Sequence, residues 1–307
     1  MYKVVHSLPM FFTESREVSW ADIDRYVNEM IVANVDTIYS MAYNSRYMQL
    51  SNDELVELHY FVADRIKETD ISFIVGHPFL STRNELDDYF TRLKPISEKI
   101  SAVSMLYPER YYGNHEIIED FVNVPSDYGF KTLVHEMKLV SGYNGELMDW
   151  PEELLFRILE KSNVVGVKED SKNDDVTTGL IAHFGSEKNI IVAGHGKRRT
   201  LDLASAQANT FSWLNGSSMV KPALGMEFCA RLNVDGGDSA YIQTYISQFE
   251  VPFFHFVKRY GWHMAHKAML AQRGYSSCER FPMPSPSIHM DEADVIALEK
   301  ITSFIDD

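Results

Sequence analysis

A chain of 307 residues, 45% hydrophobic and 24% charged, can bury a large core, which excludes a disordered body and suits one large α/β barrel or two ordinary domains. The formal net charge of -15 argues against nucleic acid as main partner, since binding it needs clustered Lys and Arg to displace counterions from phosphates. Two cysteines, Cys229 and Cys278, stand far apart and outside any CxxC spacing, which excludes a disulfide framework or a zinc knuckle and fits a reducing, cytoplasmic setting. Met1 to Phe12 has one lysine, an apolar patch broken by Pro9 and no small-residue cleavage site, and is too short to span a bilayer, so neither export nor a membrane partner is expected.

Taken in order, 3–11 reads as a strand and 19–33 as a helix, with Ser19 as N-cap before Asp22 and Asp24. Strand 36–42 is followed by helix 52–67, where Leu55, Leu58, Val62 and Ile66 recur at helical spacing. Strand 72–78 with helix 82–93, and strand 102–107 with helix 115–124, are the third and fourth units. Strand 132–137 leads to helix 151–161, which has Pro151 at its first position and Glu152 and Glu153 in its first turn. The sixth strand ends at Lys168, and helix 174–184, strand 190–193, helix 199–208, strand 211–214 and helix 217–232 complete the alternation.

Eight strands alternating with eight helices, without a GxGxxG or Walker A turn, predict a (β/α)8 TIM barrel over 1–233. Helical segments 239–260, 262–273 and 291–305 predict a C-terminal helical extension over 234–307, with the proline-rich 280–286 as a rigid linker.

Val164, Val165 and Val167 form a short β-branched run that fits a strand buried on both faces, with Lys168 at its C-terminal end. A lysine desolvated there has a lowered pKa, and its amine is free to attack a carbonyl and form a Schiff base. The competing reading is a solvated loop lysine. Barrel enzymes carry their chemistry on the loops after the strands, and here those positions include Tyr43, Asn44, Arg46, His77, Tyr107, His135, Glu136, His195, Asn215 and Ser217. Acid–base groups around an amine are what imine chemistry requires.

Val164-Val165-Gly166-Val167-Lys168-Glu169-Asp170-Ser171, Leu50-Ser51-Asn52-Asp53-Glu54, Ala193-Gly194-His195-Gly196 and Arg280-Phe281-Pro282 together resemble the dihydrodipicolinate synthase/N-acetylneuraminate lyase family of class I aldolases, over nearly the whole chain. The resemblance implies a barrel, usually tetrameric (a homo-oligomer, dimer or tetramer, is expected), that binds a 2-oxo acid such as pyruvate through Lys168. The imine then becomes an enamine that adds to a polar aldehyde, or the reverse reaction cleaves a sugar acid. It implies no separate cofactor, the covalent Schiff base serving instead. A hydro-lyase of a deoxy sugar acid and a non-catalytic sugar-acid-binding barrel are the alternative readings.

The chain departs from that pattern twice. Where the family has Gly-Thr-Thr-Gly-Glu it has Ala42-Tyr43-Asn44-Ser45-Arg46, so the two carboxylate-binding threonines are missing; Asn44 and Ser45 can donate hydrogen bonds and Arg46 can grip a carboxylate. Where the family has a proton-relay tyrosine it has His135, and either His135 or Tyr143 from the loop 140–145 is a candidate for that role. The loop 194–200 pairs glycines with Lys197, Arg198 and Arg199 at a helix start, which reads either as a receptor for a second anionic group of the substrate or as a solvated charge run. His263 and His266 share a helix face, but a metal site needs further ligands, so packing is expected and no metal.

Overall fold

The apolar runs become strands joined edge to edge, since each strand leaves its backbone N–H and C=O groups to be satisfied by a neighbour. A computed structural model describes residues 2–40, 49–78, 82–107, 114–141, 145–171, 173–192, 211–215, 217–234, 239–280 and 291–306. The barrel strands are β1 (Lys3–Ser7), β2 (Thr37–Tyr39), β3 (Ser72–Val75), β4 (Ile100–Leu106), β5 (Thr132–His135), β8 (Val164–Glu169), β9 (Asn189–Val192) and β10 (Ser212–Asn215). All are parallel and close in the order β1-β10-β9-β8-β5-β4-β3-β2. Between them run α1 (Trp20–Val32), α2 (Asn52–Arg65), α3 (Arg83–Leu93), α4 (His115–Asn123), α5 (Glu152–Leu159) and α6 (Asp174–Phe184), and the helix Pro222–Leu232 follows β10.

The period-two alternation of strands sorts the core into two layers. Val5, Tyr39, Ile74, Ala102, Leu133, Ile191 and Leu214, with Val165 packed against them, form an interior ring to which each barrel strand contributes one residue. Val4, Ile38, Phe73, Val75, Val103, Val134, Val167 and Val192 face outward and pack under the helices. The extension helices Val251–Tyr260, Trp262–Gln272 and Glu292–Asp306 join this outer layer through Phe253, Phe256, Met269 and Leu298, so barrel and extension share one core. Phe11 stacks on Tyr275 at 4.8 Å, and Arg280 Nη1 donates to Glu54 Oε2 at 2.7 Å, tying the C-terminal segment to the start of α2. Among the described residues no helix is long and apolar enough to cross a membrane.

Several predicted boundaries move for identifiable reasons. The first strand stops at Ser7 rather than running to residue 11, because Pro9 has no N–H to continue the ladder after Leu8 donates to Tyr39 O at 3.0 Å. Ser19 occupies the N-cap position of α1, but its hydroxyl donates to Asp22 Oδ2 at 2.9 Å instead of accepting from the helix backbone. Pro151 is the N-cap of α5, one residue before its predicted place. The predicted helix 239–260 is α-helical over Ser239–Thr244 and Val251–Tyr260 with a π-helical stretch Tyr245–Glu250 between them, a widening that admits Pro252 without breaking the helix. An antiparallel hairpin of β6 (Leu139–Val140) and β7 (Leu147–Met148) after β5 was not predicted. The predicted helix 199–208 and most of the proline-rich linker lie outside the described residues.

One irregularity sets the site. Along β5 and β8, Thr132 pairs with Val164 and Leu133 with Gly166, so Val165 is an extra residue that advances the register and brings Lys168 opposite His135. Gly166 also abuts β9 so closely that a Cβ there would lie 2.0 Å from the Asn189 carbonyl oxygen. Backbone must move to accept any side chain. Gly166→Ala is therefore expected to cost about 1–3 kcal/mol by overpacking and to displace Lys168, read as a lower denaturant midpoint together with slower imine trapping.

Candidate active site

His135 ends β5 and Lys168, one residue before the end of β8, lies opposite it on the interior face, where a side chain has no access to bulk water from below. Lys168 is 3% exposed and His135 2%. Lys168 Nζ lies 2.6 Å from His135 Nε2 and donates to Asp170 Oδ2 at 3.3 Å; Asp170 Oδ2 is 3.9 Å from His135 Nε2. The amine, the imidazole and the carboxylate thus form one triangle. With Nζ donating to Nε2, a neutral His135 holds its proton on Nδ1.

Two buried carboxylates brace the loop behind the amine. Glu136 N–H donates to Lys168 O at 3.0 Å, and Glu136 Oε2 accepts from Asp170 N–H at 3.0 Å, which fixes the direction of Asp170. Glu169 Oε1 accepts from Ser171 N–H at 2.8 Å and from the Ser171 hydroxyl. Burial lowers the Lys168 pKa from 10.5 to about 7, against the upward pull of Glu136 and Glu169. Desolvation wins because the ammonium loses its water and gains only a partial return from the carboxylates.

Other polar residues singled out by the sequence make different contacts. His77 is a tether: its Nε2 accepts from Leu106 N–H at 3.0 Å and its Nδ1 lies 2.7 Å from Pro78 O, with burial lowering its pKa to about 4. Tyr107 follows β4, and its ring packs edge-on against Phe121 of α4 at 5.5 Å, on the helix side of the strand. His266 lies 4.8 Å from the Phe253 ring and 4.7 Å from Trp262, with Nδ1 2.8 Å from Trp262 O, as a packing residue. Among the described residues no three His, Cys, Asp or Glu side chains converge as a metal site. Tyr43, Asn44, Ser45, Arg46, Tyr143, His195, Lys197 and Arg198 lie outside the described residues.

Two polar features of the barrel interior are not expected from the sequence. Tyr39 OH and Ser104 Oγ meet at 2.6 Å, both buried, and Ser104 pairs in register with Leu133, two residues before His135. Ser7, on the inward parity of Val5, is fully buried with no hydrogen-bond partner for its hydroxyl among the described residues. Alternation from Val5 and Leu133 was the signal that could have found them.

No protein-family model matches the chain, and a search of curated proteins finds no match. Among solved structures it is similar to a dihydrodipicolinate synthase from Bacillus clausii, at TM-score 0.78 and 15% identity, covering 99% of this chain and 97% of that one. It is also similar to the N-acetylneuraminate lyase of Fusobacterium nucleatum, at TM-score 0.73 and 12% identity, covering 99% and 98%. The N-acetylneuraminate lyase of Mycoplasma synoviae gives TM-score 0.74 and 16% identity, covering 98% and 97%. These likenesses show the fold, a TIM barrel with C-terminal helices along its full length.

Proposed function

We propose that the chain is a divergent member of the dihydrodipicolinate synthase/N-acetylneuraminate lyase family, a class I lyase that joins or separates a 2-oxo acid such as pyruvate and a polar aldehyde. The observation that carries this reading is the buried Lys168 amine 2.6 Å from His135 Nε2. In its neutral form the amine attacks the substrate's C2 carbonyl, and the carbinolamine that results passes a proton from nitrogen to the departing hydroxyl through His135 or Asp170, releasing water and leaving the imine. Loss of a C3 proton gives the enamine. Its carbon adds to the aldehyde, whose oxygen takes up a proton, and hydrolysis of the new imine restores the amine. Run backward, the same steps cleave a sugar acid. The protonated imine is itself the electron sink, so the reaction calls for no further cofactor. A cytoplasmic homo-oligomer, dimer or tetramer, is part of the proposal.

The amine reacts only when deprotonated, so the sign of the pH dependence follows from its lowered pKa. Imine formation should rise with pH to a plateau with a midpoint near 7, the value burial imposes on Lys168, and below it should fall by about tenfold per pH unit. Rapid-quench trapping with pyruvate across the pH range reads this limb. A midpoint near the ordinary lysine value would contradict a desolvated nucleophile. Screening sugar acids for pyruvate release tests the reaction class, since a hydro-lyase would yield a dehydrated acid without pyruvate.

A further inference from the structure

The barrel's opposite, N-terminal end has a chemistry the reaction above does not use. The inward positions two residues before Val5, Tyr39, Ile74, Leu133 and Leu214 are Lys3, Thr37, Ser72, Lys131 and Ser212. Strand alternation turns these five toward the barrel axis, so much of the layer beneath the apolar ring is polar. They line an open cavity of about 430 Å³ whose floor is that ring and whose wall also holds Lys188. Among the described residues three lysines line it and no carboxylate does, in a chain of net charge -15. Lys188 Nζ is fixed by donating to Lys161 O at 3.0 Å and Val164 O at 2.7 Å, which leaves one N–H. Lys3 and Lys131 have no ion-pair partner among the described residues.

We propose that this mouth is a second binding site, for a small organic polyanion of the phosphate-ester or tricarboxylate class. Its oxyanion groups meet Lys3, Lys131, Lys188 and the hydroxyls of Thr37 and Ser72, and its carbon frame rests on Ile74 and Leu133. The cavity exceeds the size of a simple inorganic anion and suits an organic one. Because the site lies at the end of the barrel away from Lys168, it is independent of the proposed reaction.

Citrate and glycerol 3-phosphate are the probes, titrated calorimetrically against the full chain at constant ionic strength. Saturable binding of at least one is expected, and Lys3→Gln with Lys131→Gln should weaken it by about tenfold or more, as losing charge-assisted hydrogen bonds requires. Lys258→Gln with Lys300→Gln, the same charge change on the exposed extension, should leave it intact. The bound probe should also protect Lys3 and Lys131 from acetylation, read by peptide mass. Absence of saturable binding by both probes, equal weakening by both double variants, or unprotected lysines would overturn the site.

Discussion

Lys168→Ala should abolish turnover, lowering kcat by at least about 10⁴-fold, because the side chain removed is the nucleophile and no other group replaces a covalent route. The fold should survive. Lys168 faces the barrel mouth rather than the outer core, and its partner Asp170 is 24% exposed, so water can solvate the carboxylate once the amine is gone. Removing a buried ammonium also relieves the desolvation that lowers its pKa. Melting temperature is therefore expected to shift by a few degrees at most, on the order expected for ~1 kcal/mol in a chain of this size. Circular dichroism and steady-state assays on the same preparation separate the two effects. Full activity in that variant would remove the mechanism.

His135→Phe should lower kcat by on the order of 10²–10⁴, the usual contribution of a positioned acid or base, while imine trapping is slowed but retained. Among the described residues the imidazole is the titratable group nearest the amine, at 2.6 Å, and it sits where water is scarce, so proton transfers during carbinolamine formation and collapse have few alternative carriers there. Phenylalanine keeps the ring's bulk, which limits repacking of the neighbouring strands. Tyr107 is the weaker candidate, since its ring packs on Phe121. Normal turnover by His135→Phe would move the relay to Tyr143, and a further fall in His135→Phe/Asp170→Asn would show that Asp170 shares it.

Those two residues were legible to different degrees. The β-branched run 164–167 marked a buried strand, and helix 174–184 coincides with α6, because caps and periodicity are local signals. The extra residue Val165 was not legible. It depends on how β5 and β8 pair, a choice made by the closed barrel, and it alone brings His135 opposite Lys168. The bracing role of Glu136 shares this origin, since its contacts cross from β5 to Lys168 and Asp170, whereas Glu169 braces Ser171 two residues further along its own segment. Two signals were present and unused: Ser51 with Glu54 and Thr82 with Glu85 are S/T-x-x-E patterns that form capping boxes at α2 and α3. The hairpin 139–148 carried too few residues per strand for any periodicity to show.

Whether Lys168 is the Schiff-base nucleophile is read by pyruvate incubation followed by borohydride reduction, intact mass and peptide mapping. One reduced pyruvate adduct per chain is expected, confined to Lys168 and missing from Lys168→Ala. No adduct, or an adduct on another lysine that persists in Lys168→Ala, would contradict it.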